Sequence, residues 1–123
     1  MSRTTTEVIH DHLMKRMEAD LEGDIRDNMH PDVLLLTGYG TYRGHDGVRE
    51  SAKLLGEVLA ADSKFTYSRT VIEGEYAFLE WTASDANTCI HDGADSFHVI
   101  DGRIAMQTCH YTVRPVPGPN HDP

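Results

Sequence analysis

Asp101-Gly102 stands between two runs rich in apolar and β-branched residues, 94–100 and 103–114. A two-residue Asp-Gly loop suits a type I′ turn and joins adjacent antiparallel strands. Such a turn fixes a register. Ile100 then faces Arg103, Val99 faces Ile104, Phe97 faces Met106, Asp95 faces Thr108 and Gly93 faces His110. One face of this ribbon carries Asp95, Phe97, Val99, Ile104, Met106, Thr108 and His110. It is mainly apolar, with an acid, a hydroxyl and an imidazole gathered at one end, which is how the wall of a small-molecule site is composed. A carboxyl there has its pKa raised by desolvation, and beside a histidine it makes an acid–base pair. The same three groups can also be a buried structural cluster, and spacing leaves both readings open. The other face, with Ser96, His98, Ile100, Ala105, Gln107, Cys109 and Tyr111, is mixed and suits solvent or a partner subunit.

Upstream, the periodicity changes from helical to strand-like. Thr4 and Glu7 have capping-box spacing, and Ile9, Leu13, Met17 and Leu21 recur every four residues, so a helix is expected to run to Gly23. Asp24 is placed to cap a short second helix over 25–29. Residues 33–36 read as a strand, followed by a glycine-punctuated turn that bears Tyr39 and Tyr42. Asp46 is placed to cap a third helix reaching Ala61, with Val48, Ala52, Leu55 and Leu59 on one face. Phe65, Tyr67 and Arg69 then alternate with polar residues. Residues 76–84 form a strand with Ala77, Leu79, Trp81 and Ala83 on one side. Helices gathered in the N-terminal half and consecutive antiparallel strands after them indicate an α+β fold, a curved sheet closed by helices around a pocket. Residues 1–114 read as a single domain and 115–123, with four of the five prolines, as a flexible tail.

Composition narrows the function. The chain has 123 residues and a formal net charge of -9, which speaks against nucleic acid and anionic membrane as partners. There is no apolar run long enough for a membrane span and no signal-peptide core, so a cytoplasmic protein is expected. Cys89 and Cys109 read as two buried thiols. No metal site or cofactor is expected. His10 and His12 point apart on a helix, His91-Asp92 is isolated, and the glycines at 38, 40 and 44 miss the spacing of a phosphate loop. Glu80 is either a carboxylate inside the pocket or an exposed charge, depending on the face it takes. Arg16 and Asp20 lie four apart on the first helix, which makes them an ion pair or pocket groups.

Taken in order, Glu22-Gly23-Asp24-Ile25, Asp32-Val33, Tyr42-Arg43-Gly44, Asp95-Ser96-Phe97 and Asp101-Gly102-Arg103-Ile104 resemble the nuclear transport factor 2-like superfamily. Within it the chain is most similar to the SnoaL-like and ketosteroid-isomerase-like branch, over residues 5–114. The resemblance implies a cone-shaped α+β barrel, of the cystatin-like, nuclear transport factor 2-like kind, with three helices and a curved mixed sheet. It also implies a homodimer through the outer sheet face. Asp95 aligns with the oxyanion aspartate of ketosteroid isomerases. Leu36 or Thr37 stands where their general base would fall, and Arg16 where their first-helix tyrosine would, so this is not a typical steroid isomerase. The resulting expectation is a pocket for a small, largely apolar or partly polar organic ligand, with isomerase-, cyclase- or lyase-type acid–base chemistry. Asp95 and His110 are the titrating pair. Tyr42, Thr108, Phe97, Met106, Trp81, Tyr39, Glu80, Asp20 and Arg16 are candidates for substrate contact. The alternative is a ligand-binding or protein-interaction module of the same fold without catalysis.

Overall fold

A computed structural model describes residues 2–117. Helix α1 (Thr5–Met17) starts at the expected capping box: the Glu7 N–H donates to Thr4 Oγ1 at 3.1 Å and the Thr4 N–H to Glu7 Oε1 at 2.9 Å. It ends earlier than periodicity suggested, because Ala19 takes a left-handed conformation (φ 58°) that breaks the helix. Helix α2 (Leu21–Asn28) therefore begins before Asp24, and Asp20 is its cap, accepting from the Gly23 N–H at 2.9 Å. This frees Asp24 to lie inside the helix, fully buried.

Strand β1 (Met29–Thr37) follows directly, then β2 (Gly40–Arg43) and helix α3 (Gly44–Val58). Asp46 does not cap α3; it is exposed and pairs with Arg49 at 2.7 Å. Strands β3 (Lys64–Glu73), β4 (Tyr76–Ser84), β5 (Thr88–Ile100) and β6 (Arg103–His110) complete the sheet, with the short β7 (Arg114–Pro115) paired to β5. Arg114 and Pro115 are thus part of the sheet; residues 118–123 of the expected tail lie outside the described residues. The strand order is β2-β1-β6-β5-β4-β3, antiparallel except for β1 beside β6. The result is three helices and a curved, unclosed mixed sheet. Val8, Ile25, Met29, Val33, Ile90, Phe97 and Ile104 form the core between them.

The β5–β6 hairpin departs from the expected register at one residue. Ile100 pairs with Arg103 and Val99 with Ile104, as an Asp-Gly turn requires. Next, however, His98 pairs with Met106, leaving Ala105 as a β-bulge. Beyond it every residue of β6 changes sides, because side chains alternate with period two. Asp95 therefore faces Cys109 and Ser96 faces Thr108. Gln107 and Cys109 turn to the concave face, whereas Met106, Thr108 and His110 turn to the convex one.

Gly93 has a steric role on β5. It pairs with Trp81, and a Cβ there would sit 2.3 Å from the indole Cδ2. The absence of a side chain lets the indole lie flat over β5. Gly93→Ala is expected to lower stability by about 1–3 kcal/mol through overpacking. Gly56→Ala, within α3 and with nothing near its added Cβ, should raise it by about 0.5–1 kcal/mol. Urea unfolding midpoints of the two variants, moving in opposite directions, check this.

Candidate functional site

The concave sheet face and the helices enclose a cavity of about 320 Å³. Leu13, Leu21, Leu35, Val48, Leu55 and Leu79 supply apolar walls, and the polar groups come from α1 and from several strands. From β5 comes Asp95, 7% exposed. The Trp81 Nε1–H donates to its Oδ1 and the Gln107 Nε2–H to its Oδ2, each at 3.0 Å. Gly93 makes the first bond possible, since the indole crosses it to reach Asp95 two residues along. The bulge at Ala105 makes the second, by turning Gln107 inward. Burial pushes the Asp95 carboxyl above the usual carboxylate range, outweighing the opposing pull of Trp81, the Cys109 thiol, the charge of His12 and Gln107.

From α1 comes His12, buried, its ring edge against Phe97 with centroids 5.4 Å apart. Its Nδ1 lies 2.8 and 2.9 Å from the two carboxylate oxygens of Asp24. Asn28 Nδ2–H also donates to Asp24 Oδ1 at 2.9 Å. A carboxylate only accepts, so the neutral imidazole carries its proton on Nδ1 and presents a lone pair at Nε2. Among the described residues Nε2 has no hydrogen-bond partner, and no buried side-chain nitrogen or oxygen lacks one, so Nε2 is open to the cavity that His12 lines. Arg16, one turn along α1, also lines the cavity, with Nη1 4.0 Å from Asp24 Oδ2. Two phenols complete the site: burial raises the pKa of Tyr67, and burial first, then Tyr39, pushes Tyr111 up to about 12. Burial likewise raises the Cys109 thiol, with Asp95 adding to it. All three groups therefore hold their protons at neutral pH.

The structure gathers Asp95, Trp81 and Arg16 of the expected site residues at the cavity and places the others elsewhere. His110 is on the convex face, exposed, with Nε2 3.3 Å from Asp92 Oδ2. It shares no surface with Asp95, so the Asp95–His110 pair does not exist, and the Ala105 bulge is the reason. For the same reason Met106 faces outward, and Thr108 Oγ1 accepts from the Ser96 N–H at 3.1 Å. Phe97 is core, behind His12. Glu80 is exposed, on the side of β4 opposite Trp81. Asp20 serves as the α2 cap. Tyr42 packs against Gly47, and Tyr39, half exposed, leans on Tyr111 with centroids 5.3 Å apart. Gln107, Cys109 and Tyr111, expected at solvent or a subunit contact, line the cavity instead. Sequence reasoning missed His12 and Asp24. The available signal was that His12 lies in the same helical stripe as Ile9 and Arg16 while a second acid, Asp20, stood ready to cap α2. Among the described residues no cluster of His, Cys, Asp and Glu could hold a metal ion.

Comparison with known proteins agrees with this architecture. TerC, co-crystallised with polyporic acid, aligns with a TM-score of 0.71 at 20% identity over 88% of this chain and 91% of that one. An NTF2-like protein of unknown function from Cytophaga hutchinsonii aligns at 0.70 and 11% identity, over 91% of this chain and 93% of that one. A de novo designed protein with a curved β-sheet aligns at 0.73 and 18% identity, over 91% and 88%. At these identities the likeness is one of fold. No curated protein matches the sequence. The model of the SnoaL-like domain matches residues 12–107, and the chain belongs to that family.

Proposed function

We propose that the cavity is an acid–base site for a small, largely apolar organic substrate, with His12 as the base and Asp95 as the hydrogen-bond donor to a developing oxyanion. The observation that carries this is one cavity lined by both groups: an imidazole oriented by a buried carboxylate, and a second carboxyl biased by burial toward its protonated form. In the proposed step, His12 Nε2 takes a proton from carbon next to a carbonyl. The electron pair moves onto the carbonyl oxygen, which the Asp95 O–H stabilises. Return of the proton to another carbon isomerises the substrate, and loss of a β-hydroxyl as water dehydrates it. Asp24 acts as a positioning residue for the imidazole.

Two variants test this. In D2O the wild type should accelerate deuterium exchange at the enolisable carbon of 2-tetralone. His12→Ala, folded by circular dichroism, should lose that acceleration by about 100- to 10,000-fold. Equal rates in both proteins would remove His12 from the mechanism. Binding of 2-tetralone without exchange would favour the ligand-binding alternative.

Asp95 also predicts a pH dependence with a definite sign. Its folded pKa is raised, so the native state binds this proton more tightly than the unfolded chain does. That contribution is complete at acid pH and declines as pH rises from the ordinary Asp value, about 4, to the folded one. Asp95→Asn should therefore gain stability relative to wild type as pH rises through that window. A pH-independent difference in urea midpoint between the two proteins would contradict the assignment.

The partner proposed for the protein itself is a second copy. Leu36, Tyr76 and Phe78 are exposed and lie on the convex sheet face, which fits the homodimer implied by the family. Sedimentation should give twice the 13.8 kDa chain mass, and Phe78→Lys should halve it.

A further inference from the structure

Arg16 is the one permanent cation among the described residues that line the cavity. Its guanidinium makes no hydrogen bond to any described residue; Asp24, at 4.0 Å, is its sole ionic neighbour and lies beyond hydrogen-bond distance. No buried side-chain nitrogen there lacks a partner, so the donors of Arg16 are open to the cavity rather than sealed. After burial, Arg16 is the largest influence on the Tyr67 phenol, and it also lowers the Cys109 thiol against the burial that raises it.

The cavity lining is also aromatic. Phe65 and Trp81 have ring centroids 5.8 Å apart and planes 35° apart, and Trp81 and Tyr111 5.9 Å and 50°. Trp81, between the other two, offers the surface on which a flat ring can pack. A guanidinium fork matches the two oxygens of one carboxylate. A neutral ligand that displaced water would leave that fork unpaired, which is unfavourable in a largely apolar cavity.

We propose that the site selects an aromatic carboxylate, its carboxylate gripped bidentately by Arg16 and its ring packed against the Trp81 indole. The proposal rests on the pocket reading above and names its substrate class. Because His12 and Arg16 are one turn apart on α1, a ligand held by Arg16 lies beside His12. Arg16 is then the residue that determines specificity, and His12 the base.

Trp81 is the only tryptophan in the sequence, so its indole N–H resonance reports on the cavity alone. The probes are 2-naphthoate and the neutral 2-naphthalenemethanol, titrated calorimetrically at low salt. Naphthoate is expected to bind at least about tenfold more tightly, as a charge-assisted pair would give, and to move the Trp81 indole resonance. Arg16→Gln should bring the two affinities together, while Arg16→Lys, keeping charge without the fork, should retain part of the preference. Equal affinities in the wild type, an unchanged preference in Arg16→Gln, or no movement of the Trp81 resonance would overturn the proposal. If the preference is missing while His12-dependent exchange of 2-tetralone persists, the carboxylate assignment alone fails. A preference without exchange supports the assignment and counts against acid–base catalysis instead.

Discussion

One unpaired residue, Ala105, decides what the cavity contains. The Asp-Gly turn alone would bring Thr108 and His110 to the concave face. The bulge exchanges them for Gln107 and Cys109. Asp95 then acquires a second donor, the Gln107 amide, and a thiol neighbour in place of an imidazole. With the Trp81 indole on its other oxygen, the carboxyl is held rigidly although its burial opposes ionisation.

His12 comes from the helical layer, and its position too depends on a backbone irregularity. The left-handed Ala19 ends α1 and starts α2 at Leu21 with Asp20 as cap. Asp24 is thereby carried into the helix and under His12. Asn28, one turn further on, donates to Oδ1 of the same carboxylate, and Arg3 Nη1–H donates to Asn28 Oδ1 at 2.9 Å. A chain of bonds thus runs from the N-terminal segment to the imidazole. Two local departures from regular geometry, one in each layer, bring an imidazole and a carboxyl to the same cavity.

This explains what the sequence revealed and what it did not. The capping box at Thr4, the inward face of β4 from Ala77 to Ala83, the turn at Asp101 and the inward Asp95 all follow from short-range rules, and all are present. The positions of His110, Thr108 and Met106 required the register to persist beyond the turn. A bulge at an ordinary alanine carries no chemical signature, so its effect on every later residue was not legible. Asp24 and His12 were hidden by plausible local roles, a cap and a lone helical histidine. Which acid caps depends on where the helix breaks, and that was set by one residue with positive φ.

Asp24 orients His12 so that a free lone pair faces the cavity. The tautomer of the neutral imidazole can be read from its 15N chemical shifts at alkaline pH. The proton should reside on Nδ1, and Nε2 should have the shift of an unprotonated nitrogen. Asp24→Asn should abolish that preference. A neutral imidazole protonated at Nε2 in the wild-type protein would contradict this orientation.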